Sequence, residues 1–322
     1  MISVSQKIKV ASSHLLRSQM ELDVEDYGLK GISDLCNRIL ANYVEFPAPD
    51  ANKLAVEDTL YKAVAPIQFT LSRFGEGFAN YANNMAKTRN VKIATLCRYY
   101  FESYISLPRG KRECFIFSES LDKLLDAAEK RVNVSLTYRG ELKNVSPCFL
   151  AYSPSQVRAY VVVCNGDSDA PTPQRFRSLR LCQIKGVAAD MESKAYHCEN
   201  FKLSHQADVY REHFDPFLCY GQNVVVRLTE KGAERYNKLA TNRPKVIAKG
   251  MVGAGCIPEG VSDSIEVEGA GDYTFECSEK LAKVYFPQFL AEAEILEPRE
   301  LRLWFKEQFE RTAKVYSGKK NI

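Results

Sequence analysis

The segment QRFRSLRLCQI, Gln174 to Ile184, sets arginines at 175, 177 and 180 among apolar residues. Guanidinium groups grip carboxylates or phosphates through paired donors, so three of them in one stretch form a candidate anion-binding wall. On a strand, Arg175 and Arg177 share one face while Phe176 and Ser178 take the other, and Arg180 changes face unless a bulge intervenes. A solvated strand laced with salt bridges fits the same spacing. A second cationic pair sits in SQKIKVA, where Lys7 and Lys9 face one way and Ile8 and Val10 the other. Farther on, Tyr81, Tyr99, Tyr100, Phe101 and Tyr104 accompany Lys87, Arg89, Lys92 and Arg98. Rings that stack on bases beside cations that meet phosphates suit single-stranded nucleic acid. The same mixture makes a helical core with a basic face, and core packing is the expectation here.

Catalytic chemistry finds little support. There is no Ser-His-Asp order and no glycine loop followed by a phosphate-binding lysine. His197, Cys198, His205 and His213 match no tight zinc spacing, and no CxxC pair is present. MVGAG at 251–255 and VEGAGDY read as turns, and Asp167 and Asp169 as solvated loop residues. The expectation is a protein that is not an enzyme, with no cofactor and no metal.

The 322 residues carry a net charge of +4, too mild to imply nucleic acid by itself. The charge is uneven, however. From Lys87 to Arg112 there are seven basic residues against the single acid Glu102, and from Lys130 to Asp190 nine against four. Lys7 and Lys9 interrupt the first apolar stretch, so it is no signal peptide, and no run is long enough to span a membrane. The ten cysteines are scattered through apolar patterns and read as reduced thiols of a cytoplasmic protein.

The elements that must position these residues fall into four stretches. Residues 1–46 read as strand, helix, turn and helix. Leu15, Leu16, Met20 and Leu22 supply the first helix face, Gly28 and Gly31 the turn, Ser33 a cap, and Leu35, Ile39 and Tyr43 the second face. A strand this short needs a partner, most simply the same strand of a second chain. Residues 47–119 read as a mainly helical linker region, with Pro108 to Arg112 a basic linker or turn. At 120–199 a short helix leads into strands VNVSLTY, LKNVSPCFL, VRAYVVV and QRFRSLRLCQI, which suggest a small curved sheet. Residues 200–322 form an α/β unit ending in a helix from Leu301 to Tyr316, with Trp304, Phe305 and Phe309 near one face as core or dimer contacts.

The first stretch resembles the ribbon-helix-helix family, whose dimers share a two-stranded ribbon. By that resemblance Lys7 and Lys9 are outward ribbon residues that enter the DNA major groove, Gly31 to Ser33 is the turn into the second helix, and Ser33 at that helix start is a contact for backbone phosphate. The C-terminal two-thirds resembles WYL-domain proteins, bacterial regulators with a Trp-Tyr-Leu triplet in an SH3-like barrel. Thr137-Tyr138, Val145-Ser146-Pro147 and Arg177 through Ile184 carry the likeness, while the triplet itself is degenerate as Ala159-Tyr160-Val161. The resemblance implies an α+β chain with a ribbon-helix-helix unit, a helical linker region, an SH3-like WYL barrel and a C-terminal α/β extension. It also implies that Tyr138, Arg158, Tyr160, Arg177 and Arg180, with Arg175 at the edge, border an anion-accepting surface. Salt bridges to Asp190 or Glu141 are the alternative for any single arginine. The combination looks like the WYL accessory proteins of type VI-D CRISPR systems. That likeness implies a homodimer that binds single-stranded RNA and stimulates the effector nuclease. A regulator of duplex DNA whose WYL domain senses an anionic ligand is the other reading.

Overall fold

The computed structural model describes residues 5–50, 54, 65–72, 76–154, 156–167, 169–198, 200–250 and 265–317. The MVGAG segment at 251–255 lies outside them. The fold is mixed α+β, and the chain divides into two units. Unit one is Met1–Gly166 with Leu179–Glu199; unit two is Asp167–Ser178 with Asn200–Ile322.

In unit one, β1 (Lys7–Val10) precedes α1 (His14–Tyr27) and α2 (Ile32–Ala41). Ser13 caps α1 by accepting from Leu16 N–H at 3.1 Å. Gly28 ends it with φ at 62°, a left-handed turn that glycine adopts without a Cβ clash. The buried face of α1 is Leu16, Met20, Asp23 and Tyr27, at spacings of three and four; Leu15 and Leu22, expected inside, are exposed. On α2, Leu35 and Ile39 are buried as expected. Ser33 does not cap this helix, whose N-cap is Gly31; its Oγ instead accepts from Thr70 N–H at 3.3 Å.

Thr70 belongs to β2 (Ile67–Thr70), a strand inside the stretch expected to be helical. It pairs antiparallel with β1, Lys7 opposite Thr70 and Lys9 opposite Gln68. The strand partner of β1 thus comes from its own chain rather than a second one. The α2 residue Asn37 covers the far edge of β2, donating to Thr70 O at 2.9 Å and accepting from Ser72 N–H at 2.7 Å. Helices α3 (Glu76–Arg89), α4 (Ile93–Ser106), α5 (Arg109–Ile116) and α6 (Ser118–Glu129) follow. The basic stretch from Pro108 is therefore the start of a helix, not a turn. Tyr100, Phe101 and Tyr104 are buried and Tyr81 and Tyr99 pack against them, which is the core role expected of these rings.

An antiparallel sheet follows: β3 (Asn133–Tyr138), β4 (Glu141–Ser153), β5 (Arg158–Asn165), β6 (Phe176–Arg180) and β7 (Ile184–Asp190), in the order β6-β5-β4-β3-β7; all of it belongs to unit one except Phe176–Ser178 of β6. Its end strands do not pair, so the sheet is open where a closed barrel was expected. Pro147 lies inside β4 at a register shift, where a missing N–H is tolerated. QRFRSLRLCQI is no single strand. Arg175 ends a 3-10 turn, β6 covers only Phe176–Arg180, and Leu181–Gln183 form another 3-10 turn before β7.

Unit two holds α7 (Phe201–Glu212), β8 (Asn223–Leu228), α8 (Glu230–Lys238), β9 (Lys245–Lys249), β10 (Gly271–Glu276), α9 (Glu279–Tyr285), β11 (Ala293–Glu297) and α10 (Arg299–Tyr316). Its antiparallel sheet runs β11-β8-β10-β9. Tyr273, Phe275, Tyr285, Phe286 and Phe289 fill the core, with Phe305 buried and Trp304 and Phe309 packed against it. Gly232 on α8 passes so close to the Glu292 carbonyl that no side chain fits between them.

Candidate nucleic-acid interface

The ends of β3, β5 and β6 bring four of the expected residues into one neighbourhood of unit one. Burial raises the Tyr160 hydroxyl pKa; the charges of Arg180 and Arg158 oppose the rise, while those of Glu113 and the Tyr138 hydroxyl add to it. Tyr160 donates to Gln156 Oε1. Arg180 N–H reaches the Tyr138 hydroxyl at 3.5 Å, and Arg139 lies 5.4 Å from the Tyr138 ring centre. Arg158 has a side chain 11% exposed; its Nη2 meets Asp26 at 2.9 Å, and its guanidinium lies 5.8 Å from the Tyr27 ring centre. Asp26 also pairs with Arg109, whose own pKa is lowered by burial and by the nearby charge of Arg158.

Beneath this cluster are ionic contacts that sequence spacing did not point to. Asp23 and Arg112, 1% and 7% exposed, pair at 3.0 Å, and the Tyr104 hydroxyl donates to Asp23 at 2.8 Å. Burial raises the Asp23 pKa even so, because the opposing pull of Tyr104 and Arg112 is smaller than the loss of water. Glu113 is fully buried and accepts from Ala159 N–H at 2.9 Å and Cys182 N–H at 3.2 Å, tying α5 to β5 and to the turn after β6. Burial, then the Glu113 charge, pushes the Cys182 thiol up to about 11. The only signal for the α1 contacts was polar residues at 23 and 26 continuing its buried face.

Two donors in the cluster stay unused among the described residues: Arg158 Nη1 and Arg180 Nε are buried with no hydrogen-bond partner. A buried guanidinium N–H without an acceptor is unfavourable, so both donors favour a rearrangement that brings an oxygen to them. Nearby, a cavity of about 450 Å³ is bordered by Tyr27, Asp26, Thr137, Gln183 and the exposed cations Arg139 and Lys185. Arg139 is held by Gln183 at 2.9 Å. Neither carboxylate expected as an arginine partner serves as one here: Glu141 pairs with Lys143 at 2.9 Å, and Asp190 Oδ1 accepts from Glu192 N–H at 3.2 Å.

The other candidates lie elsewhere. Arg175 and Arg177 belong to unit two. Lys7 and Lys9 are exposed on β1, and the same ribbon exposes Gln68 and Thr70 of β2. Among the described residues, no three His, Cys, Asp or Glu side chains are placed to hold a metal ion, and no helix is long and apolar enough to cross a membrane. All nine described cysteines are free thiols.

No family model and no curated protein matches this chain. Among solved structures, the fold matches that of a CRISPR Cas-related protein with a TM-score of 0.62 at 14% identity, covering 100% of this chain and 96% of the other. Proteasome accessory factor B/C of Arthrobacter aurescens overlaps over 85% of this chain and 53% of its own, at 11% identity and a TM-score of 0.27, too low to define a common fold. The first match shows a shared fold along the whole chain.

Proposed function

We propose that this chain is a non-catalytic regulator that binds single-stranded RNA through the arginine–tyrosine cluster of unit one. The observation that carries the reading is the pair of unused donors on Arg158 and Arg180, beside Tyr138 and the exposed cations Arg139 and Lys185. Phosphate oxygens supply the missing acceptors, while the half-buried Tyr138 ring offers a base a flat neighbour. On this reading the partner is a type VI-D RNA-guided nuclease, stimulated by a cytoplasmic homodimer of this chain; the fold shared with a CRISPR Cas-related protein supports a CRISPR-associated role and no more. Two copies of a weak patch on one RNA raise apparent affinity without new contacts.

A specific observation favours a second reading, regulation of duplex DNA. The β1–β2 ribbon displays Lys7, Lys9, Gln68 and Thr70 on its exposed face, and a two-stranded ribbon fits the major groove.

Fluorescence anisotropy with labelled single-stranded RNA, single-stranded DNA and duplex DNA, across a salt series, separates the two. The expected result is preferential RNA binding that falls with salt and weakens about tenfold in Arg180→Ala. Binding confined to one duplex sequence and retained in Arg180→Ala transfers the function to the ribbon.

A further inference from the structure

Unit two has a cavity of its own, about 470 Å³ in volume. That lies within the ~300–1,000 Å³ of small-molecule sites. The segment 167–178 contributes Arg177 and Ser178, the turn after α7 contributes Phe217, and α9 contributes Lys280 and Lys283. Lys280 Nζ sits 3.2 Å from Ser178 Oγ and 3.5 Å from the Pro216 carbonyl, and 5.7 Å from the Phe217 ring centre. Its ammonium is thereby held at the wall by neutral oxygens and a ring. Lys283 pairs with Glu279 at 3.3 Å and lies 5.2 Å from the Trp304 ring centre. Arg177 donates to the carbonyls of Gln174 and Phe176, the latter at 2.8 Å, and among the described residues it forms no ion pair.

The lining thus carries three cations, Arg177, Lys280 and Lys283, against one carboxylate, Glu279. Two positive charges in excess call for an anion with more than one negative charge. A guanidinium fork and a lysine point charge together suit phosphate better than a lone carboxylate. Gln174, Ser178, Gln222 and Ser278 add neutral polar groups, while Phe217, half-buried, and Val284, exposed, form an apolar wall. A flat ring set against that wall removes apolar surface from water without needing further polar partners.

We propose that this cavity binds a nucleotide, with its phosphate on Arg177 and Lys280 and its base against Phe217 and Val284. Arg177 then belongs to a different site from Arg158 and Arg180. The proposal stands whether or not unit one binds RNA, since every lining residue lies in unit two. A free mononucleotide and the 5′-phosphorylated end of a strand present the same chemistry.

Isothermal titration calorimetry of the full-length protein tests it, with AMP, adenosine, inorganic phosphate and a 5′-phosphorylated dinucleotide as titrants. The phosphorylated nucleotides bind more tightly than either adenosine or phosphate, and the tighter of AMP and the dinucleotide identifies the source. Lys280→Gln and Arg177→Gln each weaken that binding about tenfold. Both side chains are exposed at the cavity, so the variants fold; circular dichroism verifies this. Lys202→Gln, on the exposed first turn of α7, controls for the loss of one charge and binds like the parent. Nucleotide binding no tighter than that of inorganic phosphate overturns the proposal, as does undiminished binding by Lys280→Gln.

Discussion

The arginines of unit one and the cations of unit two are the same chemistry put to opposite structural uses. Arg112 and Arg158 point inward and end on carboxylates of one helix, Asp23 and Asp26 of α1. Arg177 and Lys280 line a cavity and rest on neutral oxygens. Desolvated ion pairs hold only while both partners are present, because a lone buried charge is far worse than a pair. Cations left in contact with water carry no such obligation. The inward ion pairs on Asp23 and Asp26 are therefore part of the fold of unit one, whereas the exposed Arg177 of unit two rests on backbone carbonyls at a cavity.

The sharpest way to break this contrast is Asp23→Ala. It strands the Arg112 guanidinium and removes the acceptor of the Tyr104 hydroxyl, and it is expected to lower stability by about 3–5 kcal/mol in urea unfolding. A loss of less than about 1 kcal/mol, the range of surface pairs, would erase the distinction. Next in size is Gly232→Ala, which tests whether unit two is held by close backbone packing. The new Cβ meets the Glu292 carbonyl, so helix and chain must part, at about 1–3 kcal/mol. Unchanged urea midpoints would show that the approach relaxes freely.

The smallest effect belongs to the exposed pair Lys123–Glu119, at 2.8 Å. Lys123→Ala is expected to cost at most about 0.5 kcal/mol. The pH dependences of the two carboxylates run in opposite directions. The hydrogen bond from Lys123 lowers the Glu119 pKa, so its small contribution is present above the ordinary carboxylate range and lost as pH falls through the lowered value. Burial raises that of Asp23, so its contribution is complete below the ordinary range and declines as pH rises towards the raised value. Urea midpoints of the parent and of Asp23→Asn between about pH 3 and 7 read this out: the variant's profile lacks the decline. A decline of equal size in both would assign it to another group.

Local signals in the sequence reached the elements that depend on local patterns. The 3.6-residue periodicity of α2 and α10 and the strand character of β3 and β5 were legible, whereas the one cap read from the sequence, Ser33, is not a cap. The short strand β2 was not legible, because four residues, IQFT, in a run otherwise helical leave almost no period to detect. The α1 face was misread for a related reason: Leu15 and Leu22 look apolar, yet Asp23 and Tyr27 take the inside because Arg112 and Tyr104 wait there, more than eighty residues away. No spacing rule reaches that far. Within the candidate site, residue types marked Tyr138, Arg158, Tyr160 and Arg180, which the fold gathers, but also Arg175 and Arg177, which it assigns to the other unit. Glu113 escaped notice because an acid among basic neighbours reads as a surface charge, while its real partners are two backbone N–H groups.

The excursion of residues 167–178 out of one unit and into the other has a consequence for how the chain is made and cut. Unit two is discontinuous, and its first piece is synthesised well before the rest of it, from Asn200 onward. Phe176 lacks its ring partner Tyr210, which it meets at 5.5 Å, until that residue has left the ribosome. No single cut therefore yields both units whole. A chain ending at residue 199 keeps an orphaned segment whose phenylalanine lacks that ring partner, and a fragment starting at 200 lacks one wall of its own cavity.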